Sequence, residues 1–194
     1  MNVSLIAPSD ERWTALLACQ EHDFHHLPSF VALEAERSGG EGAALFLEQA
    51  GHQLLIPLVL RDLPEHLGVA GRDAISPYGY PCPLLSGPDS EVHTQLLTAV
   101  PAALSEVGLI SAFVRLHPLI ATPLEALAEA GELVRHGPTV WIDLTESVEE
   151  MWRQTRSSDR NRMNKLRRQG YAARVDTEWA RIDDFVALYN ETMG

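Results

Sequence analysis

Only two cysteines occur in the 194 residues, Cys19 and Cys82, and they form no Cys-x-x-Cys pair. Neither a disulfide framework nor a zinc site is indicated. Lysine is scarcer still, since Lys165 stands alone beside fourteen arginines. An arginine-favouring codon bias accounts for this more simply than selection for bidentate anion binding. No stretch approaches the roughly 18 uninterrupted apolar residues of a membrane span. The N-terminal residues MNVSLIAPSDERW lack a charged leader followed by an apolar run, so a cytoplasmic protein without stable membrane insertion is expected. Internal repeats and low-complexity segments are lacking, as are a Gly-x-Ser-x-Gly elbow and a Walker-type loop.

Apolar residues make up 45% of the chain, ordinary for a folded protein, and the formal net charge is −12. The exception to that acidity is Trp152 to Arg168, WRQTRSSDRNRMNKLRR. It holds seven of the fifteen basic residues and one acid, so it carries +6 against −18 elsewhere. A cationic helix on an anionic body holds anions locally and repels polyanions elsewhere. This suits a phosphate-bearing substrate better than nucleic-acid coating, and the competing reading is a solvated helix face. Arg160, Asn161, Arg162, Lys165 and Arg168 are the candidates for anion binding, because an Arg fork fits phosphate and helical spacing gathers such groups. No aromatic residues interleave with them, which argues against a platform for stacking single-stranded bases.

Helical and strand-like runs take turns along the chain. Ser9 followed by Asp10 and Glu11 marks the start of a first helix, and a second begins near Pro28 and ends at Gly39-Gly40. ALFLEQ (44–49) and HQLLIPLVLR (52–61) read as a hairpin turning at Ala50-Gly51, with Pro57 marking a bulge or an edge. A Pro- and Gly-rich loop over 62–88 is expected next. It is followed by a long helix from Asp89 or Ser90 to Gly108, kinked by Pro101. Leu109 to Pro118 reads as a strand, 123–130 as a helix and Thr139 to Leu144 as a strand. Ser147 and Glu150 form a capping box opening the basic helix, whose apolar-free middle, TRSSDRNR, is expected to break or loop. Gly170 is its stop, 171–175 a short strand, and a last helix runs from about Ile182 to Met193. The alternation argues for an α/β (α+β) domain with a mixed sheet flanked by helices.

Four further groups of residues invite chemistry. Tyr78-Gly79-Tyr80 in SPYGYPCP sets two phenols on a stiff loop that lets a ligand approach the backbone, although a packed turn explains it equally. Arg115 and His117 in RLHP sit at a strand end, where α/β sheets present functional groups, and His117 has the chemistry of a general acid or base. His22, Asp23, His25 and His26 form the tightest histidine cluster. A metal is not expected, because no third ligand is evident. Arg37 to Gly42 superficially matches a pyrophosphate loop, but it follows a helix and enters a strand, so it reads as a turn.

FHHLPSF (24–30), DAISPYGYPCPLL (73–85), FVRLHPL (113–119) and WIDLTESVEEMWRQTRSSDRNRMNKLRRQGY (141–171), in that order, resemble the first half of the FemAB-like family. The resemblance implies tandem N-acetyltransferase (GNAT) folds, a first domain over 1–138 and an incomplete second one over 139–194, so that the chain is expected to be a fragment, a remnant left by an early stop, or one of two copies that complement each other. It also implies transfer of an aminoacyl or acyl group to an amine such as a peptidoglycan-precursor peptide. No cofactor is implied beyond aminoacyl-tRNA or acyl-CoA as co-substrate; the partners would be aminoacyl-tRNA and a phosphate-bearing cell-wall precursor. Arg160, Asn161, Arg162, Lys165 and Arg168 would meet precursor diphosphate or the tRNA end. Tyr78, Gly79, Tyr80, Arg115 and His117 would lie by an interdomain cleft. No catalytic base is implied, since the family handles the attacking amine largely by positioning. Cys82 departs from the family, which tends to have Gly there. The alternatives are an acyl-CoA-dependent N-acyltransferase and a truncated, non-catalytic domain that acts as a homodimer.

Overall fold

The computed structural model describes residues 1–193. The chain divides into two compact units, Met1–Pro138 and a second that begins at Thr139.

The first unit is built on a six-stranded sheet. Its elements run β1 (Asn2–Ile6), α1 (Glu11–Leu17), α2 (Pro28–Ser38), β2 (Glu41–Gln49), β3 (His52–Asp62), β4 (Arg72–Ile75), β5 (Leu84–Ser86), α3 (Ser90–Thr98), α4 (Val100–Glu106), β6 (Leu109–Phe113) and α5 (Leu124–Ala130). The strand order is β1-β2-β3-β4-β6, with β5 also paired to β3. All pairings are antiparallel except β4 with β6, which is parallel. The α3–α4 pair is the crossover that this parallel pairing requires.

Both faces of the sheet are covered, which explains why β2 and β3 read as continuous apolar runs rather than alternating ones. Leu45, Leu47, Leu54, Ile56, Leu58 and Leu60 face one core, with Leu96, Leu97, Ala103 and Ala126 from α3, α4 and α5. Ala44, Phe46 and Leu55 face the other, with Trp13, Leu16 and Val31 from α1 and α2 and with Cys82 and Leu84.

Local signals set most of the element ends. Asp10 caps α1 through its side chain, Asp89 does the same for α3, and Gly39 closes α2 in the left-handed conformation. The hairpin turns at Ala50 (φ 50°) and Gly51 (φ 78°) as its two-residue length demands.

Several expectations are corrected. Pro57 is neither bulge nor edge. It pairs in register with Ala44 on the central strand β3. On β3's other side, β5 pairs Gln53–Leu55 and β4 pairs Val59–Asp62, so Pro57 falls in the interval that no strand there needs to reach. The loop over 62–88 contains β4 and β5, and the long kinked helix is two, with Pro101 in the first turn of α4. There a missing N–H costs no helical hydrogen bond.

The second unit holds α6 (Val148–Gln154), α7 (Ser157–Arg168) and α8 (Ile182–Met193). Ser147 caps α6 by accepting from the Glu150 amide at 3.1 Å. The basic segment is interrupted at Thr155-Arg156, at the start of its apolar-free stretch. Residues 139–144 and 171–175, expected as strands, form none. An isolated strand has no ladder to stabilise it, and this unit supplies no pairing partner among its described residues. Among the described residues, no helix is long and apolar enough to cross a membrane.

Candidate functional site

β4 and β6 run parallel and end together, at Ile75 and Phe113. Beyond that point the Ser76 amide still donates to the Phe113 carbonyl at 2.8 Å, while the Ser76 hydroxyl accepts from the Arg115 amide at 2.9 Å. Ser76 is buried and clasps the two chains before they part. The loop 76–83 and the segment 114–120 therefore leave the carboxyl ends of two parallel strands, the position where open α/β sheets bind ligands.

Here the chain gathers polar groups around one carboxylate. Asp23 opens a single 3-10 turn, Phe24–His26, as its N-cap. Its Oδ2 accepts from Nδ1 of His25 at 2.7 Å and from Nε2 of His117 at 2.9 Å, and Oδ1 accepts the His25 backbone N–H at 2.8 Å. Nδ1 of His26 lies 3.1 Å from Oδ1. Burial by itself would raise the Asp23 pKa. The hydrogen bonds from the His25 side chain and backbone and from His117 outweigh it and hold the carboxyl below its ordinary value. The anion is thus the resting form.

The three histidines differ in what remains free. Nδ1 of His117 accepts the amides of Leu119 (3.0 Å) and Ile120 (2.9 Å), so Nε2 carries the proton given to Asp23 and both nitrogens are engaged. His26 is fully buried, its Nε2 lies 3.6 Å from the Cys82 sulfur, and burial pushes its pKa down. Cys82 is also fully buried, and burial pushes its thiol up. The Cys82–His26 pair is therefore a neutral core contact and not an activated nucleophile. His25 retains about 12% side-chain exposure, and its Nε2 has no hydrogen-bond partner among the described residues.

Aromatic side chains and one glycine fix the His25 ring. Phe24 stacks on it with ring centroids 3.9 Å apart, Phe30 meets it edge-on at 5.5 Å and Tyr80 at 5.9 Å. Tyr80 also meets His117 edge-on at 6.2 Å. Gly79, at φ 105°, presses its backbone on the imidazole: a Cβ there would fall 2.1 Å from Cδ2 and Nε2. Trp13 Nε1 donates to the His26 carbonyl at 2.9 Å and ties the turn to α1. Phe24 and Tyr80 are exposed, so two aromatic side chains border a mostly buried polar centre.

Comparison with protein-family models, curated proteins and solved structures gives no match. The site's chemistry is therefore read from its own geometry.

The structure brings His117 and Tyr80 onto Asp23 and His25, with Gly79 between them. Tyr78 and Arg115 instead line a small neighbouring cavity of about 140 Å³ together with Glu34, Arg61 and Ser76. Arg115 donates to the Ser76 carbonyl at 3.1 Å and lies over the Phe113 ring, whereas Arg61 is engaged bidentately by Asp73. His22 bonds the Gln20 carbonyl and takes no part. Among the described residues no grouping of His, Cys, Asp and Glu suits a metal ion. Arg37 to Gly42 closes α2 and enters β2, so carbonyls rather than amides gather at that helix end.

In the second unit the basic residues sort into two kinds. Arg160 donates from Nη1 to the carbonyls of Trp152 (3.2 Å) and Arg153 (2.7 Å) and so caps the end of α6. Arg167 lies over the Trp152 ring. Asn161, Arg162, Lys165 and Arg168 are exposed on α7. Sequence reading grouped Asp23 with the histidines without giving it a role. The available signal was an N-cap Asp followed by His at the second and third positions, a capping box that folds the imidazoles back on the carboxylate.

Proposed function

We propose that the chain carries the binding apparatus of a FemAB-like acyltransferase, moving an aminoacyl or acyl group onto an amine acceptor. One observation carries this reading. Three of the segments on which the resemblance rests, 24–30, 73–85 and 113–119, are far apart in sequence yet meet at the carboxyl ends of β4 and β6 around Asp23. The antiparallel strands leading into a parallel β4–β6 pair support a GNAT-like arrangement of the first unit, in which a donor lies where the two strands part.

Acyl transfer to an amine needs three things from a protein: a donor held in place, an amine aimed at its carbonyl carbon, and a place for the proton. The diverging loops offer the first two. In the second unit Arg162, Lys165 and Arg168 rise at three-residue steps on α7 and present an exposed cationic row to a phosphate-bearing substrate. Aminoacyl-tRNA is favoured over acyl-CoA as donor, because the one glycine-rich turn resembling a pyrophosphate loop stands at a helix C-terminus. The acceptor class on this reading is the peptide of a phosphate-bearing cell-wall precursor.

The experiment is fluorescence anisotropy with labelled aminoacyl-tRNA, alongside calorimetry with acetyl-CoA. Micromolar binding of aminoacyl-tRNA, lost on R162E/K165E with the fold intact by circular dichroism, supports the reading. Unchanged affinity in the charge-reversed variant overturns it. Micromolar binding of acetyl-CoA alone moves the assignment to an acyl-CoA-dependent N-acyltransferase.

A further inference from the structure

We propose that Asp23 and His25 form a general-base dyad, with His25 Nε2 taking the proton from the acceptor amine. The inference rests on the transferase reading for its substrate class, and on geometry for its assignment.

Of the three imidazoles around Asp23, one has a nitrogen to spare. His117 uses Nε2 on the carboxylate and Nδ1 on two amides. His26 is sealed in the core between Asp23 and Cys82. His25 gives Nδ1–H to Asp23 at 2.7 Å, which fixes the tautomer and leaves the Nε2 lone pair unengaged. The carboxylate that orients the ring also lies against the positive charge that forms when Nε2 is protonated, the role a buried carboxylate plays behind a histidine base. His117 in turn orients the carboxylate and acts as a positioning residue. Phe24, Phe30 and Gly79 prevent the ring from turning away, and the exposed faces of Phe24 and Tyr80 give an acceptor apolar surface beside the base.

The step balances as follows. The amine nitrogen forms a bond to the acyl carbonyl carbon of an ester or thioester donor, and its proton passes to His25 Nε2 as the carbonyl electron pair moves onto oxygen. When that pair returns, the carbon–oxygen or carbon–sulfur bond breaks. The departing oxygen or sulfur takes the proton back from the imidazolium, restoring neutral His25.

Two measurements on the full chain test the dyad without requiring the natural donor. Diethyl pyrocarbonate acylates unprotonated, accessible imidazole nitrogen. Peptide mapping should find His25 modified while His26 and His117 are spared, and D23N should slow the modification of His25. With p-nitrophenyl acetate as donor and glycinamide as acceptor, H25Q should lower p-nitrophenolate release and acetylglycinamide formation by about a hundredfold, the lower range for a lost general base. H66Q, outside the site, should match wild type. Resistance of His25 to diethyl pyrocarbonate, or equal rates for H25Q and wild type, overturns the dyad. Failure of aminoacyl-tRNA to bind, with His25 reactive and H25Q impaired, overturns the transferase reading and leaves the dyad standing.

Discussion

His117 Nε2 donates to Asp23 Oδ2 at 2.9 Å across 94 positions of sequence. This bond links the turn that follows α1 to the segment that follows β6. The same carboxylate receives the His25 side chain and amide, so its removal leaves several donors without an acceptor in a largely buried place. Asp23→Ala should destabilise the first unit by about 3 kcal/mol, the range for orphaned partners of a charged hydrogen-bonded group. Asp23→Asn keeps one acceptor oxygen and should cost less. Urea unfolding followed by tryptophan fluorescence reads both. Equal stability of D23A and wild type would deny the carboxylate its role as the hub.

Gly79 tests how closely the Tyr78–Tyr80 loop is fitted to the imidazole. Its φ of 105° is hard on any L side chain, and a methyl there would overlap the His25 ring. Gly79→Ala should therefore cost about 2 kcal/mol, within the range for strained backbone, and should also move His25. Long-range histidine ¹⁵N spectra should show the His25 resonances shifted in G79A. If those resonances stay in place, the loop does not press on the ring in solution.

Trp13 joins core and site in one side chain. It is fully buried against the face shared with Phe46 and Cys82, and its indole N–H satisfies the His26 carbonyl. Trp13→Phe removes both volume and donor, for a loss of about 2–4 kcal/mol. A thermal melt of W13F no lower than wild type would show that the turn at Asp23 is held without α1.

How much of this was legible in the sequence depends on where the deciding contact lies. Helix caps are local, and Gly39, Asp89 and Ser147 could be read where they stand, while the cap of α1 falls on Asp10, one residue after the expected Ser9. β4 was hidden in an expected loop because it is four residues long and half charged. Its stability comes from across the ladder, where Arg61 faces Asp73 in register and grips it bidentately. Pro57 misled because the rule against proline in a central strand assumes a continuous neighbour, and here two short strands leave a gap opposite it. Tyr80 and His117 could be nominated from their motifs. Their meeting with each other and with the Asp23–His25 pair became visible only when strands far apart in sequence ended side by side.

Arg160 and its neighbours on α7 separate structural from available charge. Arg160→Ala should expose the last carbonyls of α6 and raise amide exchange around Thr155, read by hydrogen–deuterium exchange with mass spectrometry. R162E/K165E should leave that exchange unchanged while altering anion binding. If R160A exchanges like wild type, the guanidinium does not cap α6.

The buried pair His26 and Cys82 sets a pH window for stability. Burial lowers the His26 pKa from an ordinary value of 6.5, with Asp23 opposing the shift. The folded protein thus binds fewer protons than the unfolded chain, and stability falls as pH drops below 6.5. Burial raises the Cys82 pKa from 9.0. The folded thiol resists ionisation, so stability falls as pH rises above 9. Asp23 adds a second acid loss, because its depressed pKa contributes stability above its ordinary value of 3.8 that disappears as pH falls through the folded value. Urea midpoints taken across pH should show a plateau between the two limbs. H26Q should flatten the limb that begins at 6.5, and C82A the one that begins at 9.0, each leaving the other intact. An acid limb that keeps its onset and slope in H26Q would mean that His26 is not the buried neutral imidazole described.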